Sequence, residues 1–303
     1  MRRIKSLPEG FAKPTRRQFC QQLLLAGVAA AAPGLAPAQA AKSLRIVSVG
    51  GAISEIITRL QAQENLVGVD TTSNYPSALQ QLPNVGYARK LSAEGILSLR
   101  PDLLIVGAEA GPAVVLKQIE AAGIRLAKMP AIQSYTDLQT SIAELGKLVQ
   151  RSAQAQALQL QLQQEWQALQ TSLAKTSQTK PRAAFVLAHA PGQVMLAGRD
   201  THAHTMMDYA GLTNAFASVS GYKPINAEAL LQSAPDLVIV TEQGLKTLGS
   251  SQALFALPGM AQTPAARQQR LVVQEAMLVL GFGPRLPQAV AGLHQAAYAS
   301  VKG

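Results

Sequence analysis

The sequence predicts an α/β fold of two lobes joined by one long helix, and three observations carry that expectation. Short, near-continuous apolar runs alternate with helical patterns along most of the chain. A sixteen-residue segment recurs at an offset of 134 positions. Between the two copies lies a long stretch of Gln, Leu and Ala with helical periodicity.

The first forty residues read as an export signal rather than as part of that fold. Arg2, Arg3, Lys5, Lys13, Arg16 and Arg17 give a basic start. An apolar run over 23–32 follows, and then Ala38-Gln39-Ala40. This is the order of a basic region, an apolar region and a small-residue cleavage site. The run is about ten residues long, whereas a membrane-spanning helix needs about twenty. Thr15-Arg16-Arg17-Gln18-Phe19 resembles a twin-arginine export signal, although Cys20 and Gln22 depart from its usual tail. Sec export is the alternative. Cys20, the single cysteine, has no lipoprotein cleavage context around it. Cleavage near Ala40 leaves a chain without cysteine, which holds neither a disulfide nor a thiolate metal site. It also removes half of the formal charge of +10, because residues 1–40 carry six Lys/Arg and one Glu. The remaining +5 suits an anionic ligand. One Trp, and no Lys/Arg run interleaved with aromatics, argue against a nucleic-acid surface.

Strand-like runs follow at 44–49, 66–69, 103–106, 183–187, 237–240 and 270–273. Apolar runs of this length read as strands buried on both faces. Residues 91–106 and 225–240 form the repeat, identical at eight of sixteen positions. Its spacing is lobe-sized, not solenoid-sized. In each copy an N-cap residue, Ser92 or Asn226, opens a helix. Glu94 and Glu228 fall in the first turns, where the helix dipole favours a carboxylate. Pro101 and Pro235 end the helices, and a buried strand is expected two residues later.

Between the copies, Leu158, Leu162, Trp166, Leu169 and Leu173 recur at helical spacing over 152–175, with Gln on the other face. Twenty-four residues at ~1.5 Å each make a rod of roughly 36 Å. The plain reading is a surface helix of one domain. Its place between the repeat copies favours a stiff joint between lobes. The expected division is an export signal over 1–40, an N-terminal lobe over 41–151, a linker helix over 152–178 and a C-terminal lobe over 179–303, each lobe large enough for its own core.

This layout resembles the periplasmic binding proteins that serve siderophore, cobalamin and haem importers, over nearly all of the chain beyond residue 40. Four strings point to the haem branch: Asp70-Thr71-Thr72-Ser73-Asn74-Tyr75-Pro76, Leu82-Pro83-Asn84-Val85-Gly86-Tyr87, Leu91-Ser92-Ala93-Glu94-Gly95-Ile96-Leu97 and Leu280-Gly281-Phe282-Gly283-Pro284-Arg285. Singly each is weak, and together they are specific. The resemblance implies two Rossmann-like lobes with a ligand cleft between them. It also implies a monomer in the periplasm that carries ferric haem to the permease dimer of an ABC importer in the inner membrane.

In that family the tyrosine of the D-x-T-S-x-Y-P string is the axial iron ligand, which here is Tyr75. A phenolate is a hard anionic donor suited to ferric iron, and tyrosine is a known axial ligand of haem. Tyr75 also follows the 66–69 run, and open α/β sheets bind ligands beyond the carboxyl ends of their strands. Taken locally, it is equally a turn tyrosine packed on Pro76. Arg89 and Lys246 are candidate cations for the haem propionates, with ordinary solvated bases as the alternative. Tyr135, Tyr222 and Met277 are candidate wall residues whose default role is core packing. Some family members also use a histidine of the second lobe on iron. His189, His202 and His204 are candidates here, whereas His294 reads as a surface residue of the last helix. In related proteins one glutamate per lobe pairs with arginines of the permease, and the repeat puts Glu94 and Glu228 at equivalent positions.

No nucleophile elbow, phosphate loop or His-Glu-x-x-His motif occurs, so the expectation is a carrier and not an enzyme. The competing reading is a protein of the same fold for a ferric siderophore or cobalamin. A siderophore supplies the iron's ligands itself and needs no phenolate. A divalent-metal carrier requires several converging histidines and carboxylates, which four scattered histidines fit poorly.

Overall fold

A computed structural model describes residues 44–176, 179–190 and 193–299. The export signal, with Arg16, Arg17 and the cleavage site at Ala40, lies outside the described residues, as does the side chain of His189. The first sheet is built from β1 (Ile46–Val49), β2 (Leu66–Val69), β3 (Leu103–Val106) and β4 (Arg125–Lys128) in the order β2-β1-β3-β4. All of its pairings are parallel. Every residue of β1 and β3 is buried, whereas the edge strand β4 is exposed at both ends. The crossovers run through α1 (Gly51–Arg59), α2 (Ala93–Ser98) and α3 (Ala113–Ala121). After β4 the chain leaves the sheet through α4 (Tyr135–Leu148).

The second sheet is mixed. Its path is β10-β9-β5-β6-β8, built from β5 (Arg182–Ala190), β6 (Gln193–Ala197), β8 (Tyr222–Pro224), β9 (Leu237–Thr241) and β10 (Leu271–Gln274), with the short β7 (Thr213–Asn214) against the start of β5. Strands β10, β9 and β5 are parallel. Strands β6 and β8 run antiparallel to their neighbours. The expected Rossmann-like layering therefore holds for only part of this sheet. Two residues separate β5 from β6, and a parallel crossover requires a dozen or more. Around the sheet pack α6 (His202–Tyr209), α7 (Ala227–Ser233), α8 (Glu242–Leu248), α9 (Ser251–Phe255), α10 (Pro264–Arg267), α11 (Ala276–Leu280) and α12 (Leu286–Ala299).

The repeat persists in three dimensions. Ser92 Oγ accepts from the Gly95 N–H, and Asn226 Oδ1 accepts from the Ala229 N–H. Before each proline a non-glycine residue is left-handed, Arg100 at φ +48° and Ala234 at φ +41°. Asp102 and Asp236 then accept the backbone N–H of Arg45 (3.0 Å) and Arg182 (2.8 Å). The same two arginines donate back, from Nε to the Arg100 carbonyl (3.1 Å) and from Nε to the Ser233 carbonyl (3.0 Å). Each helix–proline–strand corner is thus locked by one Asp and one Arg.

Helix α5 (Ser152–Leu173) is the expected long helix, of 22 residues or roughly 33 Å. It is more than a rod. Leu158 and Leu162 are buried in a hydrophobic cluster that takes in residues of both sheets, such as Ile46, Leu103, Phe185 and Ile239. Trp166 stacks on Tyr135 at 4.6 Å between centroids and meets Tyr209 edge-on at 4.9 Å. Each sheet also has a cluster of its own on its far face. The two halves also share one, because the apolar stripe of α5 needs both.

Candidate functional site

The carboxyl ends of the first sheet's strands open onto a cleft facing the second half of the chain. Gly50 follows β1, with φ +125°, a backbone conformation that suits glycine. A Cβ on Gly51 would lie 2.5 Å from the Thr72 carbonyl oxygen and 2.7 Å from Met277 Cε. These glycines let the loop after β2 close onto the start of α1. Asp70 organises that loop while only 1% exposed. Its Oδ1 accepts from the Gly50 N–H (2.9 Å) and from Ser73 Oγ (2.7 Å). Its Oδ2 accepts from the Thr72 N–H (3.1 Å) and Oγ1 (2.7 Å). Thr72 Oγ1 in turn accepts the Gly51 N–H at 2.9 Å. Every polar side chain at positions 70, 72 and 73 of the sequence string is thus spent on shaping the loop that presents Tyr75.

Two adjoining hollows make up the cleft, and they share Thr72 and Met277. The larger holds about 820 Å³ and is walled mainly by apolar groups, among them Ile53, Ile132, Leu187, Met195 and Leu280. Thr72, Tyr87, Arg89, Glu109, His202 and Tyr222 are its polar members. The smaller holds about 490 Å³ and is lined mostly by polar residues, with Tyr75, Lys246, Arg285, Glu242 and Glu275 among them. A large apolar hollow with a few converging polar groups is what a mostly apolar ligand with charged substituents requires.

In the smaller hollow the guanidinium of Arg285 lies over the Tyr75 ring, with Cζ 3.7 Å from the centroid. Arg285 Nε is 3.1 Å from both Glu55 carboxylate oxygens, and Nη2 is 3.1 Å from Oε2. Nη1 lies 3.6 Å from Glu275 Oε2. Glu55 is on α1 and only 4% exposed. Burial pushes its carboxyl above the usual value, against the opposing pull of Arg285 and, further off, Arg59.

His202 opens α6, and its Nε2 lies 3.0 Å from the Ile132 carbonyl oxygen. Its ring packs on Phe282 with centroids 5.0 Å apart. Burial lowers its pKa, outweighing the Ile132 hydrogen bond and the more distant Glu109. A neutral ring donating from Nε2 leaves the lone pair on Nδ1. Tyr222 is raised to about 12 by burial, with Thr201 as a weaker opposing hydrogen-bond partner.

The structure brings Tyr75 and Lys246 together in the smaller hollow and Arg89 and His202 into the larger. His204 lines neither, because two residues along a helix turn a side chain by about 200°. Its Nε2 lies 3.2 Å from Asp208 and its Nδ1 3.2 Å from the Asn214 amide. His294, read as a surface residue, is half-buried. It ties α12 to the Ala210 carbonyl (2.9 Å) and to Thr176 Oγ1 (3.2 Å). Of the wall candidates, Tyr222 and Met277 line the cleft, while Tyr135 is taken up by Trp166 and Gln139. Glu94 and Glu228 are both exposed in first turns, and Glu228 accepts from Gln232 Nε2 at 3.2 Å.

Sequence reasoning missed Arg285, Glu55, Glu275 and Tyr87. Arg285 closed one of the informative strings and was not read further. A signal for Glu55 did exist: it is a carboxylate set among Ile53, Ile56 and Ile57 on the buried face of a helix, and such a group is almost never fully buried without a partner.

Two sheets, one long helix between them and a cleft at the strand ends define a bilobed ligand carrier. Residues 46–276 match the periplasmic binding protein family, and the chain belongs to it. A periplasmic heme-binding protein from Pseudomonas aeruginosa is 41% identical, over 84% of this chain and 93% of that one, with a TM-score of 0.78. The periplasmic heme-binding protein RhuT from Roseiflexus sp. RS-1, in its apo form, is 37% identical over 86% of this chain and all of its own, with a TM-score of 0.83. The vitamin B12-binding protein of Yersinia pestis is 24% identical over 73% of this chain and 76% of its own length.

Proposed function

We propose that this protein captures ferric haem in the periplasm and carries it to the permease dimer of an ABC importer. The observation that carries the reading is a phenol, Tyr75, in a hollow that adjoins a larger apolar one, with Lys246 beside it in the first and Arg89 in the second. Likeness to heme-binding structures at 37–41% identity supports it. Tyr75 supplies a phenolate to the iron, the apolar wall takes the porphyrin, and Arg89 and Lys246 meet the propionates. Of the two candidate histidines whose side chains are described, His202 and His204, His202 lines the cleft, and we assign it the second contact with iron or with the porphyrin face. The chain acts as a monomer and a carrier, with no chemistry performed on the ligand. Residues 1–40 direct export, by the twin-arginine route through Arg16 and Arg17, and are removed near Ala40. Residues to 151 form one lobe, 152–178 the joint and 179 onward the other. Glu94 and Glu228 dock one lobe each on the permease.

A haem titration followed by absorbance tests this, with cobalamin and a ferric siderophore in parallel. The expected result is a saturable change in the Soret region with haem alone. Tyr75→Phe keeps the ring and loses the iron bond, so its spectrum should change and its affinity fall by at least about tenfold, the worth of ~1.4 kcal/mol. Saturation by cobalamin and not by haem would overturn the ligand. An unaltered spectrum in Tyr75→Phe would overturn the role of Tyr75 alone.

A further inference from the structure

We propose that Arg285 is the positioning residue for Tyr75, holding the phenol ring in the plane from which its oxygen meets the iron. The inference rests on Tyr75 as the iron ligand and adds a residue that acts through it. Tyr75 is 46% exposed on a loop. The hydrogen bonds on either side of it, from the Ser73 and Asn74 N–H groups to the Asp70 and Thr72 carbonyls, from Gln80 Nε2 to the Asn74 carbonyl and from the Leu79 N–H to the Pro76 carbonyl, hold the backbone and not the ring. The ring itself therefore needs something else to fix it. The guanidinium 3.7 Å above its centroid is a flat plate in face contact. That plate is itself held, since its Nε donates to Glu55, Nη2 is ion-paired with Glu55 and Glu275 lies beyond Nη1. An arginine whose task was only to tie the two halves needs Glu55 and has no need of the ring.

The partners come from both sides of the cleft. Tyr75 and Glu55 belong with the first sheet, and Arg285 and Glu275 follow the last strands of the second. The orientation of the iron ligand thus depends on the spacing of the halves. A permease that draws them apart lifts the plate off the ring and loosens the iron bond.

Removing Arg285 alone strands the buried Glu55 carboxylate and endangers the fold. The test therefore uses Glu55→Gln with Arg285→Gln, a neutral pair, beside Arg285→Lys. The lysine keeps a cation for Glu55 and loses the planar stack. The readouts are the iron–phenolate vibrations in resonance Raman spectra of the ferric haem complex and the rate of haem loss to an excess apoglobin. Both variants should fold and bind haem, show weakened or split phenolate bands, and lose haem about 3-fold faster, the order of a partly exposed cation–π contact. Unaltered bands and dissociation in a folded double variant overturn the proposal. Should that variant not fold, the same result in Arg285→Lys overturns it. Tyr75→Phe separates the two levels. If it retains the phenolate bands, the ligand assignment itself fails. If it loses them while the Arg285 variants keep them, only the positioning role fails.

Discussion

Two polar groups of the larger hollow, His202 and Tyr222, take their chemistry from burial. Tyr222 is raised to about 12 because its phenolate is poorly solvated there. An unfolded tyrosine titrates near 10, so above that pH the unfolded chain gives up its proton first. Stability from this residue is complete below pH 10 and declines as pH rises toward 12. Tyr222→Phe has no proton to lose. Urea melts at pH 9 and pH 11 should show a smaller loss for the variant than for the unaltered protein, and equal losses would contradict the burial argument. Tyr75, Arg89 and Lys246 were legible as cleft candidates because Tyr75 and Lys246 follow strands and Arg89 stands two residues after a distinctive string. Arg285 was not, since its two partners of consequence lie 210 and 230 positions earlier in the chain. His202 and His204 were indistinguishable until the helix that carries them was seen to point one inward and the other toward Asp208.

At the scale of elements, the linker helix shows what periodicity conveys and what it omits. Its stripe of Leu158, Leu162, Trp166, Leu169 and Leu173 gave the start of the helix at Ser152 and its extent to within two residues. It did not give the partners of that stripe. Leu162 is fully buried in the shared cluster, and Leu160 is 54% exposed. Leu162→Ala should therefore cost about 2–5 kcal/mol, through lost transfer energy and the cavity left behind. Leu160→Ala should stay within about 0.5 kcal/mol. Thermal or urea melts decide this, and equal effects would mean that α5 does not pack as described. The antiparallel direction of β6 was not legible for a related reason. A five-residue strand of mixed burial carries little apolar signal, and its direction follows from how short the link to β5 is.

For the whole molecule, the shared core and the grip of Arg285 on Glu55 both oppose wide separation of the halves. Haem binding should change the radius of gyration only slightly. A large contraction in solution scattering would show a hinge more compliant than a packed helix allows. Docking belongs to the same scale. Glu94 and Glu228 are exposed and contribute little to the fold, yet the repeat sets them at matching places on two halves. Charges at the rim of an interface act on partner choice and association rate. Glu94→Ala with Glu228→Ala should leave the haem titration intact and stop uptake into vesicles that hold the importer, with each single variant partly impaired. Normal uptake by the double variant would remove the docking role. Loss of haem binding would reassign both residues to the fold or the cleft.

The sequence by itself determined the alternation of strand and helix, the two corners built on Pro101 and Pro235, and the long helix between them. These depend on neighbours in the chain: apolar runs, caps, prolines and helical spacing act over a few residues. The repeat extended that local information to a second half by copying it. Tertiary structure alone decided which polar groups share the cleft, how Arg285 came to lie between Tyr75 and Glu55, and that one core serves both halves. Those contacts join residues far apart in sequence. Their energies arise from desolvation and packing that exist only once the two sheets face each other, so no local pattern of residues encodes them.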